Sequence, residues 1–486
     1  MVHNRKILRS VVLSLALFVG IIAALFVVVA TTRAAPLLDP PWEPNVKVND
    51  DATGVANQEA PALAASKTTS DVFAVWLDNR NYDADVYFSR SVDGGVTWDA
   101  SVRVNHDTDQ LWQSEPDIAV NATGVLHVVW ADSRAGDYDV YYTRSTDGGQ
   151  TWSAEIRVSD FYTGSQNSPA VAALGDKVCI VWVDGRVAYN REVYVDCSTN
   201  GGLTWGTDTR VNDDIGGSFY HYAPDIALDT AGYPHVVWYD SRNENWDIFY
   251  TRLQVTGAWS PNARLNDATT GTQQYPAIAV HGDTVHALWI DYASGSGYVA
   301  GDVSENGGAT WGVDWQVSTT DHAQSTAVTM DGQGTAWATW DVYSDTTCRL
   351  YADSYGPNGW SPDDMLITET VDYLYGPAMA AGATRVYAAR SQFLAGEDYE
   401  ILLSIWDGMV WEDAIQINDE GDARQDYPAI GIGSTGRLYA AWADYRHDTY
   451  DGALYADRSL DSGATWGRDV RVDDNHPVGE PPAIGA

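Results

Sequence analysis

The chain has 486 residues, of which 28 are Lys or Arg and 67 are Asp or Glu, giving a formal charge of −39 at pH 7. A field of that sign repels phosphate backbones and excludes DNA and RNA as partners. With 45% hydrophobic residues, 21 Trp and 28 Tyr, the chain can bury a large core and is not a disordered polyelectrolyte.

Residues 1–36 are set apart from the rest. The opening MVHNRKILRS carries Arg5, Lys6 and Arg9, Val11 to Ala30 is an unbroken apolar run, and TTRAAP supplies small residues for cleavage near Ala34. This is the pattern of an export signal. The run is also long enough to span a bilayer, so an uncleaved anchor through residues 11–30 stays open as the alternative. Basic residues before the run hold the amino end inside, and both readings place residues 37–486 outside the membrane. No later segment has the length and apolarity of a second span.

From there on the chain reads as one repeat. The phrase Ser-x-Asp/Asn-x-Gly-x-Thr-Trp recurs as SVDGGVTW from Ser91, STDGGQTW from Ser145, STNGGLTW from Ser198, SENGGATW from Ser304 and SLDSGATW from Ser459. An Asp or Asn side-chain oxygen accepts backbone N–H bonds inside a tight turn, and Gly supplies a positive φ. Each phrase therefore predicts a hairpin, after which Trp98, Trp152, Trp205, Trp311 or Trp466 buries its ring against the sheet. Openings such as Pro-Asp-Ile-Ala fall at Pro61, Pro116, Pro169, Pro224, Pro276, Thr326, Pro377, Pro428 and Pro482, at intervals of 50 to 55 residues. Such a period marks a solenoid, propeller or array. Between 116 and 160, DIAV, LHVVWAD, DVYYTRS and WSAEIRVSD are rich in β-branched and aromatic residues, and predict the four antiparallel strands of one blade. Three units keep only part of the phrase, as Gly257 with Trp259, Gly359 with Trp360 and Gly408 with Trp411, and predict altered turns.

The repeated phrase resembles the Asp-box, or BNR repeat, of the sialidase superfamily and related β-propellers. That resemblance implies an all-β fold: a single β-propeller over residues 37–486, built of four-stranded antiparallel blades. Counting complete units gives eight blades. NVKVND at 45–50 matches a fourth strand and PAIGA at 482–486 a first one. The ring is expected to close by overlap of these ends, or the chain to be cut from a longer array.

A second repeated pattern is Trp-x-Asp-x-Arg, present at Trp76, Trp130, Trp182, Trp238 and Trp442. A propeller has no use for five catalytic pairs, so the better account is a cross-strand tie, with Arg134 facing Asp139 and its counterparts facing Asp85, Glu192 and Asp247. Departures from the repeat then carry more information than the repeat. The fifth to seventh units lose the Arg and collect Tyr275, Tyr292, Tyr298, Tyr343, Tyr373, Tyr375, Phe393 and Tyr399 beside Asp341, Arg349, Arg390, Glu397 and Asp398. Aromatic platforms flanked by Arg and carboxylates suit a sugar ring and an acidic group. The expected ligand contacts are Arg349, Arg390, Tyr343, Tyr292 and Phe393, the alternative being that these units pack with whatever aromatics fit.

The resemblance implies catalysis only if its residues transfer, and the Arg-Ile-Pro segment of sialidases is absent. Tyr399 beside Glu397 or Glu400 offers a Tyr/Glu pair, and Asp341 with Asp398 a carboxylate pair on neighbouring blades. Two functions follow: an extracellular propeller that recognises a glycan, or an exo-acting glycoside hydrolase. No cofactor and no metal motif is expected; calcium at the acidic loops NDDATG, VNHDTDQ and VNDDIGG stays open, although they lack the spacing of a calcium loop. Cys179 and Cys197 flank a predicted turn and either form a disulfide or pack as small buried side chains.

Overall fold

The computed structural model describes residues 111–331 continuously except for 188–189 and 215–218, together with, chiefly, the strands between 58 and 106 and between 335 and 485. Most side chains from 368 onward lie outside the described part, as do residues 1–57 with the apolar run and NVKVND. Among the described residues no helix is long and apolar enough to cross a membrane.

Among the described residues all regular elements are strands, and they sort into sheets in chain order. We designate the wholly antiparallel ones blade A (113–157), B (166–210), C (221–264), D (273–316), E (323–370), F (374–416) and G (425–471). Blade A shows the plan: Gln113–Val120, Leu126–Asp132, Asp139–Ser145 and the short Ile156–Arg157 pair in sequence. One further sheet forms the seam, where Gln58–Ala65, Val72–Asp78, Asp85–Ser91 and Val102–Arg103 are joined by Ala483–Gly485.

The expectation of eight uniform four-stranded antiparallel blades is corrected here. Seven blades are antiparallel throughout, and the seam sheet is not a blade of that kind, because Ala483–Gly485 pairs in parallel with Ala62, Leu63 and Ala64. PAIGA reads as the first strand of another unit, but it covers the inner edge of the first strand, which would otherwise expose unpaired backbone groups. Blade E departs in its own way. Its long third strand, Cys348–Gly356, pairs with Gly359–Trp360 at one end and with Met365–Thr370 at the other.

Second strands such as LHVVWAD are buried at every position, because both faces are covered by neighbouring blades. Each apolar core is accordingly shared between two blades. Trp130 lies in a cluster with Phe73, Val86 and Phe88 of the seam sheet, and Trp182 in one with Val129, Val140 and Tyr142 of blade A. Trp238, Trp289 and Trp340 repeat this in the next three interfaces.

First strands differ, each carrying a bulge. The residue just before the proline is left-handed there: Glu115 (φ 51°), Ser168 (52°), Ala223 (44°) and Tyr275 (55°).

The repeated phrase forms the expected turn. In blade A, Ser145 Oγ accepts from Gly149 N at 2.7 Å, and Asp147 accepts from Thr151 N at 3.0 Å and Thr151 Oγ1 at 2.5 Å. Its Trp does something the sequence did not suggest: it is only partly buried and packs on the preceding blade. Trp152 meets Phe88 edge-on at 4.9 Å, Trp205 meets Tyr142 at 4.8 Å and Trp311 meets Tyr250 at 4.7 Å. The altered turns at Gly257 (φ 81°) and Gly359 (φ 95°) keep the left-handed glycine, while Gly408 lies outside the described residues. Cys179 and Cys197 are cross-strand partners and form a disulfide.

Turn docking leaves no room for a side chain at the second glycine. A Cβ on Gly202 would lie 1.8 Å from Tyr142 Oη, whereas one on Gly175, also left-handed, would meet nothing within 4 Å. Both alanine variants carry the backbone strain and only one carries the clash, so Gly202→Ala should cost about 2 kcal/mol more than Gly175→Ala in urea unfolding. Equal costs would show that the turn does not dock as described. Tyr142 Oη also meets His127 Nδ1 at 2.7 Å, and burial followed by nearby Arg144 pushes this histidine down to about 4. The folded state holds His127 neutral while the unfolded chain protonates it near 6.5, so its contribution is present above pH 6.5 and lost as pH falls toward 4. A His127→Leu variant should therefore show a flatter melting-temperature profile than the wild type between pH 6.5 and 4.5.

Candidate functional site

The Trp-x-Asp-x-Arg pattern is a closed unit of hydrogen bonds. Trp130 Nε1 donates to Asp132 Oδ2 at 2.9 Å, the backbone N and Nε of Arg134 donate to Oδ1 at 2.9 Å each, and Nη2 reaches Oδ2 at 2.6 Å. The guanidinium then lies 4.3 Å over the Tyr141 ring and pairs with Glu155. Asp184 with Arg186 and Asp240 with Arg242 repeat this geometry.

The cross-strand tie expected between Arg134 and Asp139 is not the one that forms. Asp139 stands opposite Asp132 in the register and is served instead by Arg157 at 3.3 Å, as Glu192 is by Arg210 and Asp85 by Arg103.

The residue between Asp and Arg has a task the sequence reading missed. Ser133 Oγ accepts from Trp112 N at 2.9 Å and Ser133 N donates to Trp112 O at 2.9 Å; Ser241 holds Tyr220 in the same way. These clasps fix the linkers between blades, and the linkers carry exposed aromatics: Trp112 is 57% and Tyr220 41% accessible. Phe161 and Tyr162, in the linker before blade B, lie under Arg186 and Arg157 at 4.9 and 3.4 Å. All sit on the face of the second-to-third-strand loops, opposite the repeated turns.

On that face a row of tyrosines crosses from blade C to blade D and ends on a carboxylate of blade E. Ring centroids step from Tyr220 to Tyr222 (6.3 Å), to Tyr239 (5.7 Å) and to Tyr275 (5.9 Å), with Trp246 packed 5.5 Å from Tyr222 and Arg191 4.9 Å above it. Tyr292 continues the row: burial, then Tyr275 and Asp341, raise its hydroxyl above the usual range. Asp341 ends it. This carboxylate is buried, accepts from Ser325 N at 3.0 Å and Ser325 Oγ at 2.7 Å, and is pushed up to about 6 by desolvation. The row brings together exposed ring faces, hydroxyls and one carboxyl that is half protonated near pH 6.

Of the residues singled out from sequence, Tyr275, Tyr292 and Asp341 meet here. Tyr343, two residues on at the end of the same strand, packs against Cys348 and Leu350, and Arg349 sits on the next strand opposite Val342 and Glu369. Arg390, Phe393, Tyr399 and Glu400 fall on paired strands of blade F, but their side chains, like Glu397 and Asp398 as a whole, lie outside the described residues. Tyr220, Tyr222, Tyr239 and Trp246 went unnoticed because their units keep the repeat; the only signal was the crowding of aromatics in SFYHY.

A second cluster lies between blades B and C, where Glu192, Asp214 and His221 bring ligand-type atoms within 4.8 Å of one another. Their chemistry does not fit a metal. Asn212 Nδ2 already donates to Glu192 Oε2 and to Asp214 Oδ1, and Arg210 and Arg242 pair with the same two oxygens at 3.3 Å. His221 turns both ring nitrogens toward oxygens, the Arg191 carbonyl on one side and Asp214 and Asp240 on the other, so neither nitrogen is turned to an open position.

No protein-family model and no curated protein matches the sequence. Among solved structures, the chain is similar to an ulvan lyase bound to -[GlcA(1-4)Rha3S]- at 10% identity, with 88% of this chain and 96% of that one covered and a TM-score of 0.46. It is also similar to the intramolecular trans-sialidase from Ruminococcus gnavus (12%; 90% and 98%; 0.40) and to an α-L-arabinofuranosidase of Fusarium graminearum (14%; 57% and 87%; 0.38). At these scores the fold stands on the strand topology and the function on the residues.

Arg186 gives the Trp-x-Asp-x-Arg unit a direct test. Its Nη2 lies between buried Asp184 and Asp208, so Arg186→Ala strands two carboxylates and should cost about 3–5 kcal/mol in denaturant unfolding. Adding Asp208→Asn should recover part of that loss, and strict additivity would mean that the charges do not interact.

Proposed function

We propose that this propeller recognises a carbohydrate chain along the tyrosine row from Tyr220 to Tyr292, acting outside the cell, either released or held by residues 11–30. The observation that carries the reading is the row itself. The exposed rings of Tyr220, stacked on Tyr222, and of Tyr275, edge-on to Tyr239, match the apolar faces of sugar rings, and their hydroxyls and the Arg191 guanidinium match sugar hydroxyls and acidic groups. Tyr222 and Tyr239, half-buried and buried between these two exposed rings, hold the row in place from below. Tyr275 is 51% accessible although its backbone is held left-handed, which is costly for a bulky residue and turns the ring outward.

A hydrolytic reading has one observation in its favour. Asp341, at the end of the row and pushed up to about 6, has the protonation behaviour of a general acid. Its expected partner Asp398 lies outside the described residues.

Affinity electrophoresis against neutral and acidic polysaccharides tests the first reading. Tyr275→Ala and Tyr220→Ala should each weaken retention about tenfold, equivalent to about 1.4 kcal/mol, with little change in melting temperature. Retention equal to the wild type in both variants would remove the row from the function. Aryl-glycoside and lyase assays on Asp341→Asn address the second reading, for which turnover should fall while retention stays.

A further inference from the structure

Neighbouring blades exchange backbone bonds through acidic or amide pairs near their outer strands. Asp160 and Asp208 each accept the other's backbone N–H, at 2.8 and 3.1 Å, as do Asp213 with Asn262 and Asp267 with Asp314. A guanidinium balances the first two pairs. Arg186 Nη2 lies 2.6 Å from Asp184 Oδ2 and 2.5 Å from Asp208 Oδ2, so that one cationic atom bridges two carboxylates. Arg242 also ties its blade's Asp240 to the exchanged pair, through separate nitrogens: Nη2 reaches Asp240 at 2.7 Å and Nη1 reaches Asp213 at 2.8 Å and Asn262 at 3.2 Å.

Blade D keeps the carboxylates and lacks the cation. Asp291 occupies the place of Asp184 and accepts Ala293 N at 2.7 Å, as Asp184 accepts Arg186 N at 2.8 Å. Asp314 occupies the place of Asp208. The arginine position is Ala293, and Tyr194, the ring under the guanidinium in blade B, is replaced by Ala300 opposite Trp289. Asp291 is 1% accessible and its Oδ2 is without a partner; Asp314 Oδ1 and Trp289 Nε1 are likewise buried and unbonded, where Trp182 Nε1 donates to Asp184 Oδ2 at 2.9 Å. The ionisable neighbours are acids or a phenol. Burial, then Asp267, Asp302 and Asp291, push Asp314 up to about 7, and Tyr298 faces Asp291, Asp314 and Asp321. Among the described residues no Lys, Arg or His pairs with Asp267, Asp291 or Asp314.

We propose that a hard divalent cation of the calcium class binds between Asp291 and Asp314, in the place that the Arg186 guanidinium fills in blade B. The donors on offer are carboxylate oxygens and the Tyr298 hydroxyl, with no nitrogen or sulfur ligand, which is the preference of calcium rather than of zinc or copper; water completes the shell. The ion does for the interface between blades C and D what arginine does one and two interfaces earlier. This site is distinct from the acidic loops noted in the sequence and independent of the sugar-binding reading.

Calcium alone, added to full-length protein stripped with a chelator, should raise the melting temperature by about 3 °C at a concentration about 100 times its Kd. Tb³⁺ in its place should show Trp-sensitised luminescence that calcium competes away. Asp314→Asn and Asp291→Asn should abolish both signals. Ala293→Arg is the decisive variant, because it restores the internal cation: it should fold, lose the calcium shift and lose terbium luminescence. A calcium shift of unchanged size in Ala293→Arg overturns the proposal. So does a wild type with no shift whose stability instead changes with pH near 7, since the carboxylates would then be balanced by a shared proton.

Discussion

A four-stranded blade has two faces and no core of its own, and the rest of this structure follows from that constraint. Second strands such as LHVVWAD are buried throughout only because a neighbour covers each face. Every large buried Trp, from Trp130 to Trp340, lies in a cluster drawn from two sheets. Stability is therefore a property of interfaces, and the repeated polar elements are best understood as interface parts. The turn phrase sets its glycine and Trp on the third strand of the preceding blade, and paired acidic or amide residues cross-link backbones farther out. A seam is the natural weak point of such a ring. Here it is secured by a parallel strand that brings residues from opposite ends of the described chain into one sheet.

Local rules explain what could be read from sequence. The Asp, Gly and Trp of STDGGQTW act within eight residues, so their turn was legible, as was the disulfide option for two cysteines symmetric about a predicted hairpin. The partner of Arg134 was not legible. Opposition across a hairpin suggested Asp139, but the chain turns back so that the side chain meets its own Asp132, and Asp139 is left for Arg157 on the outer strand. The terminal PAIGA misled for a related reason: composition names a strand, not the direction in which it pairs.

The candidate site was half legible. Erosion of the repeat pointed to Tyr275, Tyr292 and Asp341, which do come together, yet the row that reaches them begins in blade C, where the repeat is intact. Tyr222 and Tyr239 are register partners on neighbouring strands of blade C, with Tyr220 in the linker just before them, and it is the step to Tyr275 in blade D that only the packing of one blade on the next supplies. Charge tells the same story in blade D. The missing arginine was visible as Tyr292 and Ala293, but its consequence appears only when Asp314 is seen to keep the place of Asp208.

The bulge in each first strand separates backbone shape from side-chain identity. Glu115, Ser168, Ala223 and Tyr275 share one left-handed conformation ahead of a proline, with φ between 44° and 55°. An acid, an alcohol, a methyl group and a phenol are thus mounted on the same bracket around the axis. The strain of that bracket, of order 1–3 kcal/mol each, is borne by the fold whichever residue is written there. The side chain carried by that bracket can therefore differ from blade to blade, from a Glu115 that grips Ser168 of the next blade to an exposed Tyr275, without reshaping the strands that display it.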